Sequence, residues 1–258
     1  MRFPITKLDL AKMFKNSLIF ACMFFIAATT FGRFDMIQVI IALLGFVLAY
    51  QSVYFFNDLT DYEDDKKSPR KRVVNPLLNG SMTKKDALSN TFFYSIIGLA
   101  LSFSVSFIFG AIVTALLFMN FLHSSNKIRL KETPFRLPNL FVMQCLKVSA
   151  AWFAVSNSLE GFPIFLVLSF SFFYLVVYYY GKIIEKTSLL TFFCQRKTIL
   201  LSIAAVCCYF YALLIYPYRL FLLTFLLLTL GFSMFWNIAL KKKIKPGYSI
   251  KYELNRKL

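Results

Sequence analysis

Asn57-Asp58-Leu59-Thr60-Asp61-Tyr62-Glu63-Asp64-Asp65 ends a long apolar run, and its reading decides the fold. The 258-residue chain has 12 acidic residues, and five of them fall in these nine positions. Asp58, Asp61 and Asp65 stand at i, i+3 and i+7, a spacing that gathers three carboxylates on one face of a helix. Like charges so placed repel unless a cation sits among them. A hard divalent cation does this, and Mg2+ commonly takes one or two carboxylates together with phosphate oxygens of a substrate. A basic run from Lys66 to Arg72 follows at once. Carboxylates for a metal beside cations for phosphate are what a diphosphate substrate needs, which a merely solvated acidic loop leaves unexplained.

The run that precedes this segment belongs to a chain that is 59% hydrophobic, with a mean hydropathy of +0.65. That composition points to an all-α polytopic membrane protein. The length suits a single helical domain over 1–258, a bundle of eight or possibly nine spans of roughly 20 residues around a central polar-mouthed cavity. The apolar runs are continuous rather than alternating, which argues against a membrane β-barrel. Residues 2–15 are polar and basic and lack the pattern of a cleaved leader. The five cysteines have no metal-ligand spacing, and His123 is the only histidine. A histidine-based metal site is thereby excluded, and a Ser/His/Asp triad is disfavoured.

Eight spans are expected, near 17–31, 36–56, 91–109, 111–122, 139–157, 162–180, 198–216 and 220–240, with Gly110 as the turn between the third and fourth. With the N-terminus in the cytoplasm, the inside segments are residues 2–15, loops 57–90, 123–138 and 181–197, and the tail 241–258. They hold 26 of the 29 Lys and Arg residues, leaving Arg33 and Arg219 outside and Lys147 within a span. This asymmetry places both termini and the three long loops on the cytoplasmic side. It also accounts for the net charge of +17 by topology and anionic headgroups, with no nucleic-acid partner. The 57–65 segment is expected to prolong the second helix, and Ser81 or Thr83 to cap the third.

Other candidates lie in those loops. Arg70, Lys71 and Arg72 offer donors for phosphate oxygens, although Arg70 reads equally as topogenic charge. Lys127 could reach the same diphosphate from the end of the fourth span. Tyr178 and Lys182 share a helix face at i, i+4, with Glu185 a turn further on. Lys147 is a charge inside a membrane segment, which is costly and marks a functional position.

These residues resemble the UbiA superfamily of intramembrane prenyltransferases. The family signature N-D-x-x-D-x-x-x-D at the end of the second helix is matched in full by Asn57, Asp58, Asp61 and Asp65. The basic stretch followed by Pro and Gly corresponds to Arg70, Lys71, Arg72, Pro76 and Gly80. The second aspartate-rich motif of typical members is replaced here by Tyr178-Tyr179-Tyr180-Gly181-Lys182 and Glu185. A Tyr/Lys-type second motif, and Pro69-Arg70-Lys71-Arg72, are closer to the decaprenyl-phosphate phosphoribosyltransferase-like branch, with one extra residue before Pro76.

The resemblance implies Mg2+ held on a diphosphate by Asp58, Asp61 and Asp65 with Asn57 assisting, and its oxygens met by Lys71, Arg72, Lys127 and Lys182. It implies a polyprenyl phosphate or diphosphate in the bilayer and a second small-molecule substrate. Lys147 and Lys182 suit a phosphorylated second substrate. Two reactions remain open. In one, a phosphoribosyl group passes from phosphoribosyl diphosphate to a polyprenyl phosphate, slightly favoured by the extra cations. In the other, a prenyl group passes to an aromatic acceptor. A non-catalytic protein that binds polyprenyl lipid is the third reading. The oligomeric state is not legible.

Overall fold

The computed structural model describes residues 7–32, 35–68, 72, 75–183 and 196–215. Among these are eight α-helices, one short 3-10 turn and no strand. We label the helices α1 (Lys7–Phe31), α2 (Met36–Thr60), α3 (Tyr62–Asp65), α4 (Lys84–Val105), α5 (Phe107–Ser124), α6 (Arg136–Val155), α7 (Ile164–Ile183) and α8 (Arg196–Ile215). Four stretches are long and apolar enough to cross a membrane: Met36–Thr60, Lys84–Val105, Phe107–Ser124 and Thr198–Ile215. Shorter apolar stretches, Asn16–Phe31 and Ile164–Tyr179, lie in α1 and α7. The count of eight or nine spans is therefore not reached among the described residues. The expected eighth span, near 220–240, and the tail 241–258 lie outside them.

α6 has the length of a span but not the apolarity, because its inner face is polar. Asn139, Gln144, Lys147 and Ser149 are buried on it, beside Trp152. α6 packs against α1, α5 and α7 and touches α2, so this face points into the bundle. Polar groups at this depth face protein rather than lipid, since hydrocarbon offers them no partners. The outward faces are correspondingly apolar: Ile40, Leu44, Phe92, Ile96, Phe118 and Leu214 are all exposed.

The tightest helix pair is α2 with α4, made by small residues. A Cβ added at Gly98 would lie 2.3 Å from the Ala49 nitrogen, and one at Gly45 would lie 2.9 Å from the Ser102 hydroxyl oxygen. Small residues let backbones approach closely, which drives helix association where the solvent is itself apolar. The main core lies between α1, α2, α5 and α6, where Phe20 stacks on Phe46 at 4.9 Å and meets Phe109 at 5.9 Å.

Caps fix the helix ends. Asp35 caps α2 by accepting from the Ile37 amide, at 2.9 Å. Thr83, rather than Ser81, caps α4: its hydroxyl accepts from the Asp86 amide. The break between the third and fourth expected spans falls at Ser106, not Gly110. Ser106 is extended, accepts from the Phe109 amide and donates to the Phe153 carbonyl. Gly110 sits inside α5, where a Cβ would strike the Phe103 ring at 2.4 Å. A serine can satisfy both a free helix-end amide and a neighbouring carbonyl, so the chain turns there. The glycine serves packing.

A groove of about 490 Å3 opens on the flank between α2, α4 and α5, past Val53, Phe56, Thr91 and Phe121. On α2 it lies on a different side from Tyr50, Tyr54, Asn57 and Asp61, which share one face by the helical period. It is a flank groove, separate from the central chamber expected from the sequence.

Candidate active site

The acidic segment forms at one end of the bundle. α2 runs to Thr60, Asp61 interrupts it at φ −91°, ψ 1°, and α3 continues to Asp65. The interruption is slight. The Asp61 amide still donates to the Asn57 carbonyl at 2.8 Å, and the Asp65 amide to the Asp61 carbonyl at 2.7 Å. The helical prolongation expected from the sequence is present with one irregular residue.

Asp61, Asp64 and Asp65 each have a definite environment. Lys131 donates to Asp61 Oδ1 from the loop before α6. Asp64 takes Lys67 at 3.0 Å and Arg129 at 2.6 Å. Hydrogen bonds from Lys67 and then Arg129 hold the Asp64 carboxyl below its ordinary value. Asp65 is buried and accepts from Asn75 Nδ2 at 3.1 Å, while the same amide group reaches the Asp58 carbonyl at 3.3 Å. Asn75 is itself oriented by the Leu77 amide, which donates to its Oδ1 at 2.9 Å. A small apolar cluster of Phe55, Leu77, Met82 and Ala87 seats this turn against α2 and α4.

Two groups here are held with donor or acceptor capacity in reserve. Asn57 Oδ1 is buried and has no hydrogen-bond partner among the described residues, and neither has Arg129 Nε. Buried polar atoms without partners are rare, and each calls for an explanation. Arg129 is also the only described non-glycine residue at positive φ, at 43°. An L side chain in that region is held there against its preference, commonly at a functional position.

The oxygens of Asn57, Asp58, Asp61 and Asp65 form a hard donor set with no sulfur or imidazole, the chemistry Mg2+ takes. No group of three acidic, His or Cys side chains is gathered around one point among the described residues. Lys131 takes the place of a cation on Asp61, and the orphaned Asn57 oxygen is an acceptor ready for one. The donor chemistry suits the ion, but the described side chains are not gathered around it, and Lys131 stands on Asp61.

The cations at this mouth are only partly those expected. Arg129 and Lys131 contact the acidic segment, whereas Lys127 is exposed in the same loop. Arg72 is exposed, and its Nε donates to the Lys66 carbonyl at 2.5 Å. Tyr178 receives Arg136 at its hydroxyl, at 3.0 Å from Nε and 2.5 Å from Nη2, with the guanidinium 5.1 Å from its ring. Lys147 is buried in mid-bundle, where its ammonium meets Asn16 Oδ1 at 2.5 Å and lies 4.6 Å from the Tyr50 ring centre. Lys71, Glu185 and the Lys182 side chain lie outside the described residues. Asn75, Arg129, Lys131 and Arg136 were missed. Asn75-Pro76 carries a turn signal, but the three cations read from sequence as topogenic charge.

A helical bundle with an apolar exterior, a polar inner helix and acidic side chains opposite cations at one mouth defines an integral membrane protein with an ionic site at the membrane edge. The sequence matches the UbiA prenyltransferase family over residues 17–250. The chain belongs to that family, and so to a family of transferases. Solved structures of a UbiA homologue from Archaeoglobus fulgidus share the fold. The form bound to Cd2+ superposes with a TM-score of 0.59 at 17% identity, covering 92% of this chain and 87% of that one. The form bound to DMAPP and Mg2+ gives 0.57 at 16% identity, covering 92% and 88%. The form bound to GPP and Mg2+ gives 0.56 at 16% identity, covering 94% and 93%. A search of curated proteins finds no match.

Proposed function

We propose that this protein is an Mg2+-dependent transferase that draws a prenyl diphosphate from the bilayer and transfers its prenyl group to a second substrate. The observation that supports this reading is the mouth of α2: a buried Asn57 oxygen with no hydrogen-bond partner among the described residues, near Asp61 and Asp64, which take Lys131 and Arg129. The Archaeoglobus homologue of the same fold is bound to DMAPP or GPP with Mg2+, which supports a prenyl diphosphate as donor. Asn57, Asp58, Asp61 and Asp65 would hold the ion. Lys131 and Arg129 would pass from the acidic segment to diphosphate oxygens; the motif also assigns Lys71, Arg72, Lys127 and Lys182 to them by resemblance. Bound Mg2+ supplies charge neutralisation for the departing diphosphate. The chain's own cations and buried amide donors add electrostatic stabilisation where charge develops. The excess of Lys and Arg in the loops supports a cytoplasmic mouth and cytoplasmic termini.

Phosphoribosyl transfer to a polyprenyl phosphate is the second reading. Two further cationic groups, Arg136 on Tyr178 and the buried Lys147, favour it by offering partners for a second phosphorylated substrate.

The test supplies purified protein with Mg2+ and two substrate pairs: geranyl diphosphate with 4-hydroxybenzoate, and phosphoribosyl diphosphate with a polyprenyl phosphate. A prenylated arene supports the first reading, and a pentosylated lipid the second. Asp61→Asn is expected to lower turnover by about a hundredfold or more with the fold retained. Turnover that persists in EDTA, or in the Asp61→Asn protein, refutes the site. Substrate binding without product from either pair leaves the lipid-binding protein as the answer.

A further inference from the structure

The groove on the flank of the bundle takes no part in the chemistry at the aspartate mouth. Its walls include Ser52 and Phe56 of α2, Leu88 and Thr91 of α4, and Thr114 and Asn120 of α5, around about 490 Å3. The polar groups in those walls are turned to their own helices. Ser52 Oγ donates to the Ala49 carbonyl at 2.6 Å, Thr91 Oγ1 to the Ala87 carbonyl at 2.8 Å, and Thr114 Oγ1 to the Gly110 carbonyl at 2.8 Å. Asn120 Nδ2 donates to the Leu116 carbonyl at 2.7 Å. A hydroxyl that has given its proton to its own backbone asks little of a ligand, so the groove suits hydrocarbon. Its rim is apolar and faces outward, with Phe92 61% exposed and Phe118 58%. Beyond that rim, in a bilayer, lies lipid, and an acyl chain fills such a groove in preference to water.

Charge marks one end of it. Lys84 and Lys85 open α4 at i−4 and i−3 from Leu88, on the groove side of the helix by its period. Both are exposed. The Lys84 ammonium lies 4.2 Å from the ring centre of Tyr62 on α3, so this end of the groove adjoins the end of the bundle where α2 leaves the hydrocarbon. Asp86, next in sequence, takes the Thr83 hydroxyl at 2.8 Å. From Leu88 to Ser95 the groove follows α4 for roughly 10 Å toward the bilayer interior. Two ammonium groups at the open end of a hydrocarbon groove match a phosphate at the end of an acyl chain. We propose that this groove binds one acyl chain of an anionic phospholipid, with the lipid phosphate on Lys84 and Lys85. A zwitterionic lipid with the same chains gains less, because its own cation offsets the lysines. The site lies on another side of α2 from Asn57 and Asp61 and stands apart from the transferase reading.

The test strips the full-length protein of lipid in detergent and reads the first bound molecule by native mass spectrometry. The probes are palmitoyl-oleoyl phosphatidylglycerol, phosphatidylcholine with the same chains, and glycerol 3-phosphate, a headgroup without a chain. Phosphatidylglycerol is expected to bind more tightly than phosphatidylcholine by about fivefold for each lysine, about twentyfold in all. Glycerol 3-phosphate should bind far more weakly than either. Lys84→Gln combined with Lys85→Gln brings the preference within about twofold while phosphatidylcholine still binds. Ser95→Phe fills the groove and weakens both lipids with the lysines intact, and Thr114→Phe does the same from α5. Geranyl diphosphate with Mg2+ leaves phosphatidylglycerol binding within about twofold, because it uses other residues. Equal binding of the two lipids by the wild type overturns the proposal. So does a preference that survives loss of both lysines, which would belong to the protein's overall charge. Tight glycerol 3-phosphate binding, displacement of the lipid by geranyl diphosphate, or lipid binding unchanged in a folded groove-filled variant each overturns it as well. A dimer that the groove-filled variants dissociate would give the groove to a second copy of the chain and refute the lipid.

Discussion

Replacing Lys131 by Met should move two affinities in opposite directions. Lys131 sits on Asp61 with side-chain exposures of 19% and 27%. The pair is neither fully exposed, where ion pairs contribute about 0.2–1 kcal/mol, nor dry enough for the 3–5 kcal/mol lost when one partner of a buried pair is removed. We take about 1 kcal/mol for it, the upper end of the exposed range. A metal ion that uses Asp61 must first displace this lysine, so its removal should tighten metal binding to the substrate-free protein about fivefold. Once a diphosphate is present, the same ammonium is a donor to its oxygens. A hydrogen bond to a charged group is worth about 1.5–3 kcal/mol, so kcat/KM for the donor should fall about tenfold to a hundredfold. Mn2+ in place of Mg2+ gives the first number by electron paramagnetic resonance, and steady-state kinetics with varied geranyl diphosphate give the second. The opposite signs are the content of the prediction, since general damage to the mouth would weaken both. Metal affinity that is unchanged or lower in the Lys131→Met protein refutes the idea that lysine and metal compete for Asp61.

Three further perturbations follow from the fold and the mouth. Gly98→Val places its Cβ 2.3 Å from the Ala49 nitrogen, a backbone atom that cannot rotate away, so α2 and α4 must separate; a cost of at least 1–3 kcal/mol should lower the thermal midpoint in detergent. Asn75→Ala removes the donor to buried Asp65 Oδ2 and loosens the 75–82 turn; about 1–3 kcal/mol of stability should be lost, with a raised KM for the donor, whereas Asn75→Asp should do worse by adding a second carboxylate. The Asp64 carboxyl titrates below its ordinary value because of Lys67 and Arg129, so its contribution is intact above about pH 4 and is lost as pH falls from there toward the lowered value; thermal midpoints measured from pH 6 to pH 3 should show an acid-limb loss that Asp64→Asn reduces, and an unchanged acid limb would show that the contacts to Asp64 do not stabilise the mouth.

Much of this architecture is legible in one dimension because helices in a membrane obey strict local rules. A run such as 36–60 must be helical to satisfy its backbone, and the burst of acid after it must leave the hydrocarbon. The Asn57–Asp65 pattern therefore carries a boundary, and the structure keeps the backbone helical through one irregular residue at Asp61. What eluded the sequence depends on partners far along the chain. Lys127 and Arg129 are two residues apart in one basic loop, and nothing local tells which turns inward; a left-handed residue at Arg129 and the short 3-10 turn after it decide the matter. Gly110 and Ser106 pose the same difficulty, because a glycine announces a turn only when no neighbouring helix needs its missing side chain. Lys147 is the instructive intermediate. Its position inside a span marked it as significant without any knowledge of its surroundings, since the membrane penalises a charge that has no purpose. Its surroundings, however, come from residues 131 and 97 positions away, Asn16 and Tyr50. Identity at such a site is local and orientation is global. For that reason a sequence motif can mark a family while the setting of a buried charge is written in side chains scattered over three helices.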